Sequence, residues 1–159
     1  LVERPKNKPV IGCKWVFKIK TDKDGNPIKY KSRLVAKGFA QTYGIDYTET
    51  FAPVVKFSSV RILIAHAIQN DMVVHQMDAV TAFLNGVLED EIYMEQPEGF
   101  VSEEKENHVC KLKKALYGLK QAPRCWNQTF TDVIQSIGFV QSLTDPCIFV
   151  RDNVLLAIC

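Results

Sequence analysis

Apolar and polar residues alternate along this chain with two different periods. Trp15-Val16-Phe17-Lys18-Ile19-Lys20 and Ile28-Lys29-Tyr30-Lys31-Ser32-Arg33-Leu34-Val35 alternate apolar and basic residues, the period of a β-strand. Asp22-Lys23-Asp24-Gly25-Asn26-Pro27 separates them, so a twisted antiparallel hairpin is predicted, with cations along one face and aromatic rings along the other. The turn has a partial likeness to a calcium loop but lacks the closing Glu at the required spacing, and a plain polar turn explains it better. Residues 38–57, rich in Gly, Thr, Tyr and Pro, read as a loop. Val60, Leu63, Ile64, Ala67 and Ile68 then follow the helical period, with Ser58 or Ser59 as the cap.

Further along, Ile92-Tyr93-Met94 and Val109-Cys110-Lys111-Leu112 read as short strands flanking a polar loop at 102–107. Pro123 opens a second helix, because proline is tolerated at the first helical position. Its inner face is Trp126, Phe130, Val133, Ile134 and Ile137, and Gly138 ends it. Residues 147–151 and 154–159 form a last hairpin around Asp152-Asn153. Helices and antiparallel strands mix without βαβ regularity, so an α+β fold is predicted, an antiparallel sheet with packed helices.

One stretch combines these patterns with chemistry. Val73, Val74 and Met77 read as a short, largely buried strand ending at Asp78. A carboxylate held at a strand tip suits a hard cation such as Mg²⁺, which takes oxygen ligands. Phe83 follows one helical turn later, where its ring can stand beside whatever the metal holds. Spacing alone favours the plainer reading, a strand-end carboxylate and a core phenylalanine.

Composition narrows the class. The chain has 159 residues, 47% of them hydrophobic, and a formal net charge of +2. That size suits one ordinary domain or two lobes sharing a core, and no apolar run is long enough to span a bilayer. The near-neutral total conceals basic groups around Lys14–Lys37 and Lys111–Arg124, with acids concentrated between Glu89 and Glu106. Local patches of this kind can steer phosphates. Cys13, Cys110, Cys125, Cys147 and Cys159 form no CxxC pair, and His66, His75 and His108 are scattered, which argues against zinc and for thiols used as small apolar packers. A reduced, intracellular setting is expected.

The stretch from Val73 to Gly86 resembles the first catalytic motif of reverse transcriptases of copia-type retrotransposons. Lys31–Phe39, Thr50–Val54, Glu91–Pro97, Leu116–Trp126 and Asp145–Phe149 resemble further blocks of that family in the same order. The resemblance covers nearly the whole chain. It implies the fingers and partial palm of a right-hand polymerase, fingers at about 1–56 and 86–121 and palm at about 57–85 and 122–159.

The same resemblance implies an RNA-directed DNA polymerase working by two-metal nucleotidyl transfer from a deoxynucleoside triphosphate (dNTP) to a primer 3′-hydroxyl. The ions would be Mg²⁺, with Mn²⁺ also possible. Asp78 would be a catalytic metal ligand and Ala79 would offer its backbone carbonyl. Phe83 would lie under the sugar and exclude a 2′-hydroxyl. Lys31 or Arg33 would grip the triphosphate, and Tyr117, Gly118, Lys120 and Gln121 would form a second nucleotide-side motif. Pro123 and Arg124, at a helix N-terminus, would meet nucleic-acid phosphates.

A Tyr-x-Asp-Asp turn carrying the remaining acids is expected after Cys159, which would lie beside Asp78 on an adjacent antiparallel strand. The 159 residues alone are therefore expected to be inactive. Expected partners are dNTP, an RNA or DNA template with its primer and, in a parent polyprotein, integrase and RNase H domains, in a cytoplasmic retrotransposon particle. Two alternatives remain, a non-catalytic nucleic-acid-binding remnant and an inert scaffold.

Overall fold

The computed structural model describes every residue from Leu1 to Cys159. Its strands are β1 (Val2–Glu3), β2 (Val10–Ile11), β3 (Cys13–Thr21), β4 (Pro27–Ala36), β5 (Tyr93–Met94), β6 (His108–Lys111), β7 (Val140–Gln141), β8 (Ile148–Arg151) and β9 (Val154–Ala157). Its helices are α1 (Phe57–Gln69), α2 (Ala82–Asn85) and α3 (Ala122–Ser136). The mixed α+β class is as expected from the sequence.

β3 and β4 form the predicted long hairpin, in register from Cys13 opposite Ala36 to Lys20 opposite Lys29. Asp22 closes its turn by accepting the backbone N–H groups of Asp24 and Asn26 at 2.9 Å each. That is the local side-chain turn that favours Asp here, with no need of a cation. β1, β6, β5 and β2 make a second sheet in that order, with β2 parallel to β5 and the other pairs antiparallel. Ile11, Ala36, Ile92, Met94, Ala115, Leu119 and Ala122 form the core between this sheet, the inner end of the long hairpin and the start of α3. β7, β8 and β9 make a third, antiparallel sheet.

Three local expectations are corrected. α1 begins at Phe57 with Lys56 as its cap residue, and neither Ser58 nor Ser59 caps it. Asp145 takes that task from across the chain. Its Oδ2 accepts the Lys56 backbone N–H at 3.1 Å and the Ser59 hydroxyl at 2.6 Å, while Oδ1 accepts the Cys147 N–H at 3.0 Å. These donors, led by the Ser59 hydroxyl, hold the Asp145 carboxyl below its ordinary range.

The inner faces are also narrower than periodicity suggested. Ile64 and Ile68 on α1, Val133 on α3 and Ile137 just past its end are exposed, because no element packs over those flanks. Gly138 ends α3 as expected, at φ +94°, with its N–H on the Gln135 carbonyl.

The third correction concerns the strand ending at Asp78. Residues 73–80 form no strand and make no backbone hydrogen bond. Val73 is 80% exposed and Met77 86%. A strand exists only through its ladder partner, and none is present: β9 pairs with β8 alone. Cys159 and Asp78 are therefore not neighbours across a sheet.

Candidate nucleotide and phosphate site

The hairpin sorts its residues as alternation dictates. Trp15, Phe17 and Ile19 lie opposite Leu34, Ser32 and Tyr30 on one face. Lys14, Lys18, Lys20, Lys29, Lys31 and Arg33 occupy the other. Lys18 is directly opposite Lys31, and Lys20 opposite Lys29. Like charges placed opposite one another across a ladder destabilise it, and none of these six cations belongs to a salt bridge. Lys20 above all, then burial, Arg33 and Lys29, pull the Lys31 ammonium below its ordinary range, and Asp78 opposes them. Asp78 thus lies within electrostatic reach of the cationic face, although it has left the strand expected of it.

The loop before α3 connects this hairpin to the turn carrying Phe83. The Tyr117 carbonyl accepts the Ala36 N–H at 2.8 Å, and the Ala115 N–H donates to the Gly86 carbonyl at 2.8 Å. Gly118, at φ +93°, has its α-carbon so close to β4 that a Cβ would stand 2.2 Å from the Ala36 carbonyl oxygen. Gly86 is equally constrained, since a Cβ there would meet the Trp126 nitrogen at 2.8 Å. These close approaches bring three aligned groups together. The rings of Phe83 and Tyr117 meet edge to face with centroids 5.3 Å apart, and the Arg33 guanidinium lies 5.8 Å from the Tyr117 ring centre.

Other candidates fall elsewhere. Gln121 is 1% exposed, and its amide is spent inside the protein. Its oxygen accepts from Gln41 Nε2 at 3.0 Å, and its nitrogen donates to the Asp46 carbonyl at 2.9 Å and to Asp90 Oδ2 at 3.1 Å. It is a structural tie between the loop at 41–47 and the start of α3, where the motif led to the expectation of a nucleotide contact. Gly118 is required first by the approach to Ala36, a reason the sequence could not supply.

Lys120 is exposed, with Nζ 3.1 Å from the Tyr47 hydroxyl. Pro123 occupies the first turn of α3 and is exposed. Arg124 lines a cleft of about 520 Å³ together with Glu49, Glu89, Asp90 and Asp132. That acidic company disfavours a phosphate there, and the cleft includes none of Asp78, Phe83, Tyr117, Lys31 or Arg33. Sequence reading missed Asp145 and Gln41 as organisers. Each is a single polar residue whose importance lies in partners distant along the chain.

The metal question has a plain answer for these residues. Asp78 and Ala79 are exposed, and no group of three or more His, Cys, Asp or Glu side chains is placed to hold a metal ion. The residues present do not by themselves make a two-metal centre. No helix is long and apolar enough to cross a membrane.

Comparison with known proteins agrees with the motif reading. The family model described as reverse transcriptase (RNA-dependent DNA polymerase) matches residues 1–158. A retrovirus-related Pol polyprotein from transposon TNT 1-94 of Nicotiana tabacum is 52% identical over 95% of this chain, and one from transposon RE1 of Arabidopsis thaliana is 47% identical over 92%. The Ty1-ER2 Gag-Pol polyprotein of Saccharomyces cerevisiae is 28% identical over 94% of this chain. The aligned part is 11%, 10% and 9% of those three proteins respectively, so the chain spans about a tenth of their length. No solved structure gives a significant match. With ordered motifs, a whole-chain family match and near relatives in agreement, the chain belongs to the reverse transcriptase (RNA-dependent DNA polymerase) family and is similar to that region of copia-type transposon Pol polyproteins.

Proposed function

We propose that this chain is the nucleotide-gripping part of an RNA-directed DNA polymerase, fingers and partial palm, and that it does not synthesise DNA alone. The observation that carries the reading is the meeting of Arg33, Tyr117 and Phe83 beside a hairpin face lined with unpaired cations. Arg33 or Lys31 neutralises charge on the triphosphate as the pyrophosphate leaves. The opposed lysines gain most from such an anion, because it relieves their mutual repulsion. Phe83 fills the space a 2′-hydroxyl would need, which selects deoxynucleotides. Template and primer meet the same cations through phosphate contacts, without base reading.

Asp78 is this chain's candidate ligand for Mg²⁺, with the Ala79 carbonyl beside it. A single acid cannot hold two repelling divalent ions, so further acids must come from outside these residues. Integrase and RNase H domains in the same polyprotein, and a cytoplasmic particle, belong to this proposal. Primer extension tests it. The isolated 159-residue chain should bind primer–template in a salt-dependent way and extend nothing, whereas the longer Pol product should extend. Template-directed synthesis by the isolated chain would overturn the incompleteness claim.

The alternative of a non-catalytic nucleic-acid-binding remnant has one observation in its favour. The cationic face is complete within these residues. It predicts binding by both the isolated chain and the longer product, with extension by neither.

A further inference from the structure

We propose that Tyr117 is a positioning residue that couples the triphosphate grip to the sugar gate, an inference that rests on the polymerase reading above. Its backbone is fixed on both sides. The carbonyl is bonded to Ala36, and the next residue, Gly118, is pressed against the same stretch of β4. The half-buried ring projects from this anchor between two groups that lie far apart in sequence. Phe83 meets it edge to face, at 65° and 5.3 Å, and the Arg33 guanidinium lies over it.

The need for such a wall follows from how Phe83 is held. Its helix, α2, has only four residues and is entered through Thr81 in the left-handed region, at φ +52°. The eight residues before Thr81 make no backbone hydrogen bond. So short a helix, entered from an unpaired segment, depends on tertiary contacts, to α3 and to the core, to fix the direction of its aromatic side chain. Apart from core contacts, Tyr117 is the aromatic neighbour that sets the ring's angle.

Arg33 is a shared resource in this arrangement. A guanidinium attracted to an aromatic face is attracted more strongly to a phosphate, through charge-assisted hydrogen bonds. When a triphosphate arrives on the cationic face, Arg33 leaves or shifts over Tyr117, and the Tyr117 ring resettles against Phe83. The sugar is then checked by a ring whose angle depends on whether the triphosphate is in place.

The test uses two preparations. In the longer Pol product, the ratio of ribonucleotide to deoxynucleotide incorporation is measured for Phe83→Val, Tyr117→Leu, Tyr117→Phe and the Phe83→Val/Tyr117→Leu double variant. Tyr117→Leu should raise the ratio by about two- to twelvefold, the worth of an edge-to-face pair. Tyr117→Phe, which keeps the ring, should not raise it. The double variant should match Phe83→Val alone, because both changes remove one wall.

Full discrimination in Tyr117→Leu, with discrimination lost in Phe83→Val, would overturn the coupling and leave the gate intact. Full discrimination in Phe83→Val would overturn the gate, and the coupling with it. In the isolated chain, inorganic tripolyphosphate should shift the NMR ring signals of both Tyr117 and Phe83, and should fail to do so in Arg33→Gln. Equal shifts in Arg33→Gln would also overturn the coupling.

Discussion

Replacing Gln121 by Leu should make this protein unfold more readily. The change keeps the volume roughly constant and removes only polarity. It leaves the Gln41 amide, itself 5% exposed, without its acceptor, and the Asp46 carbonyl without its side-chain donor. Asp90 is half-exposed and can turn to water, so its loss counts for little. A buried group left unsatisfied costs about 1–3 kcal/mol, so two give a loss of roughly 2–6 kcal/mol. Against a total stability of about 5–15 kcal/mol this is a large fraction.

The assay is urea unfolding followed by the fluorescence of Trp15 and Trp126. With a slope of about 2 kcal/mol per molar urea, the midpoint should fall by roughly 1–3 M. A midpoint within about 0.3 M of wild type would refute the assignment of Gln121 as a buried tie. The expectation from the motif, that this amide faces a nucleotide, would then regain its force. Gln121→Glu should be no better tolerated, since it places a second carboxylate against Asp90 and loses the donor to Asp46.

Three further outcomes can be measured on the same chain. Gly118→Ala should lower stability by more than about 2 kcal/mol, because positive φ is unfavourable for alanine and the new Cβ would meet the Ala36 carbonyl oxygen at 2.2 Å; an unchanged melting curve would contradict that close approach. Lys18→Gln and Lys29→Gln together should flatten the log–log salt dependence of duplex binding by about 1–2 units, since each lost phosphate contact removes roughly 0.7–0.9; an unchanged slope would mean that the cationic face does not meet the duplex.

The last outcome concerns acid. Because Asp145 is held below its ordinary value of 3.8, its stabilising contribution is complete above that value. It is lost as the pH falls through the lower folded value. The stability gap between wild type and Asp145→Ala should therefore be full near neutrality and close in acid. A gap that stays constant with pH would show that the carboxylate's charge is irrelevant.

Local pattern was enough for the long hairpin, its two chemically distinct faces, the closing hairpin at 147–159 and the helix opened by Pro123. Each is specified by neighbours in sequence. Alternation decides the faces, Asp22 bonds its own turn, and proline and glycine mark the ends of α3. The ordered motifs likewise carried the family. What sequence could not decide were interactions whose two ends lie far apart in the chain. The tie of Gln121 to Gln41 and Asp46 and the capping of α1 by Asp145 are of this kind. So is the obligate smallness of Gly118 beneath Ala36.

The segment before Asp78 shows the converse most plainly. Val73, Val74 and Met77 have the composition of a strand, yet they form none here. A helix satisfies its own backbone, but a strand must borrow its hydrogen bonds from a partner, and only the tertiary structure decides whether that partner is present.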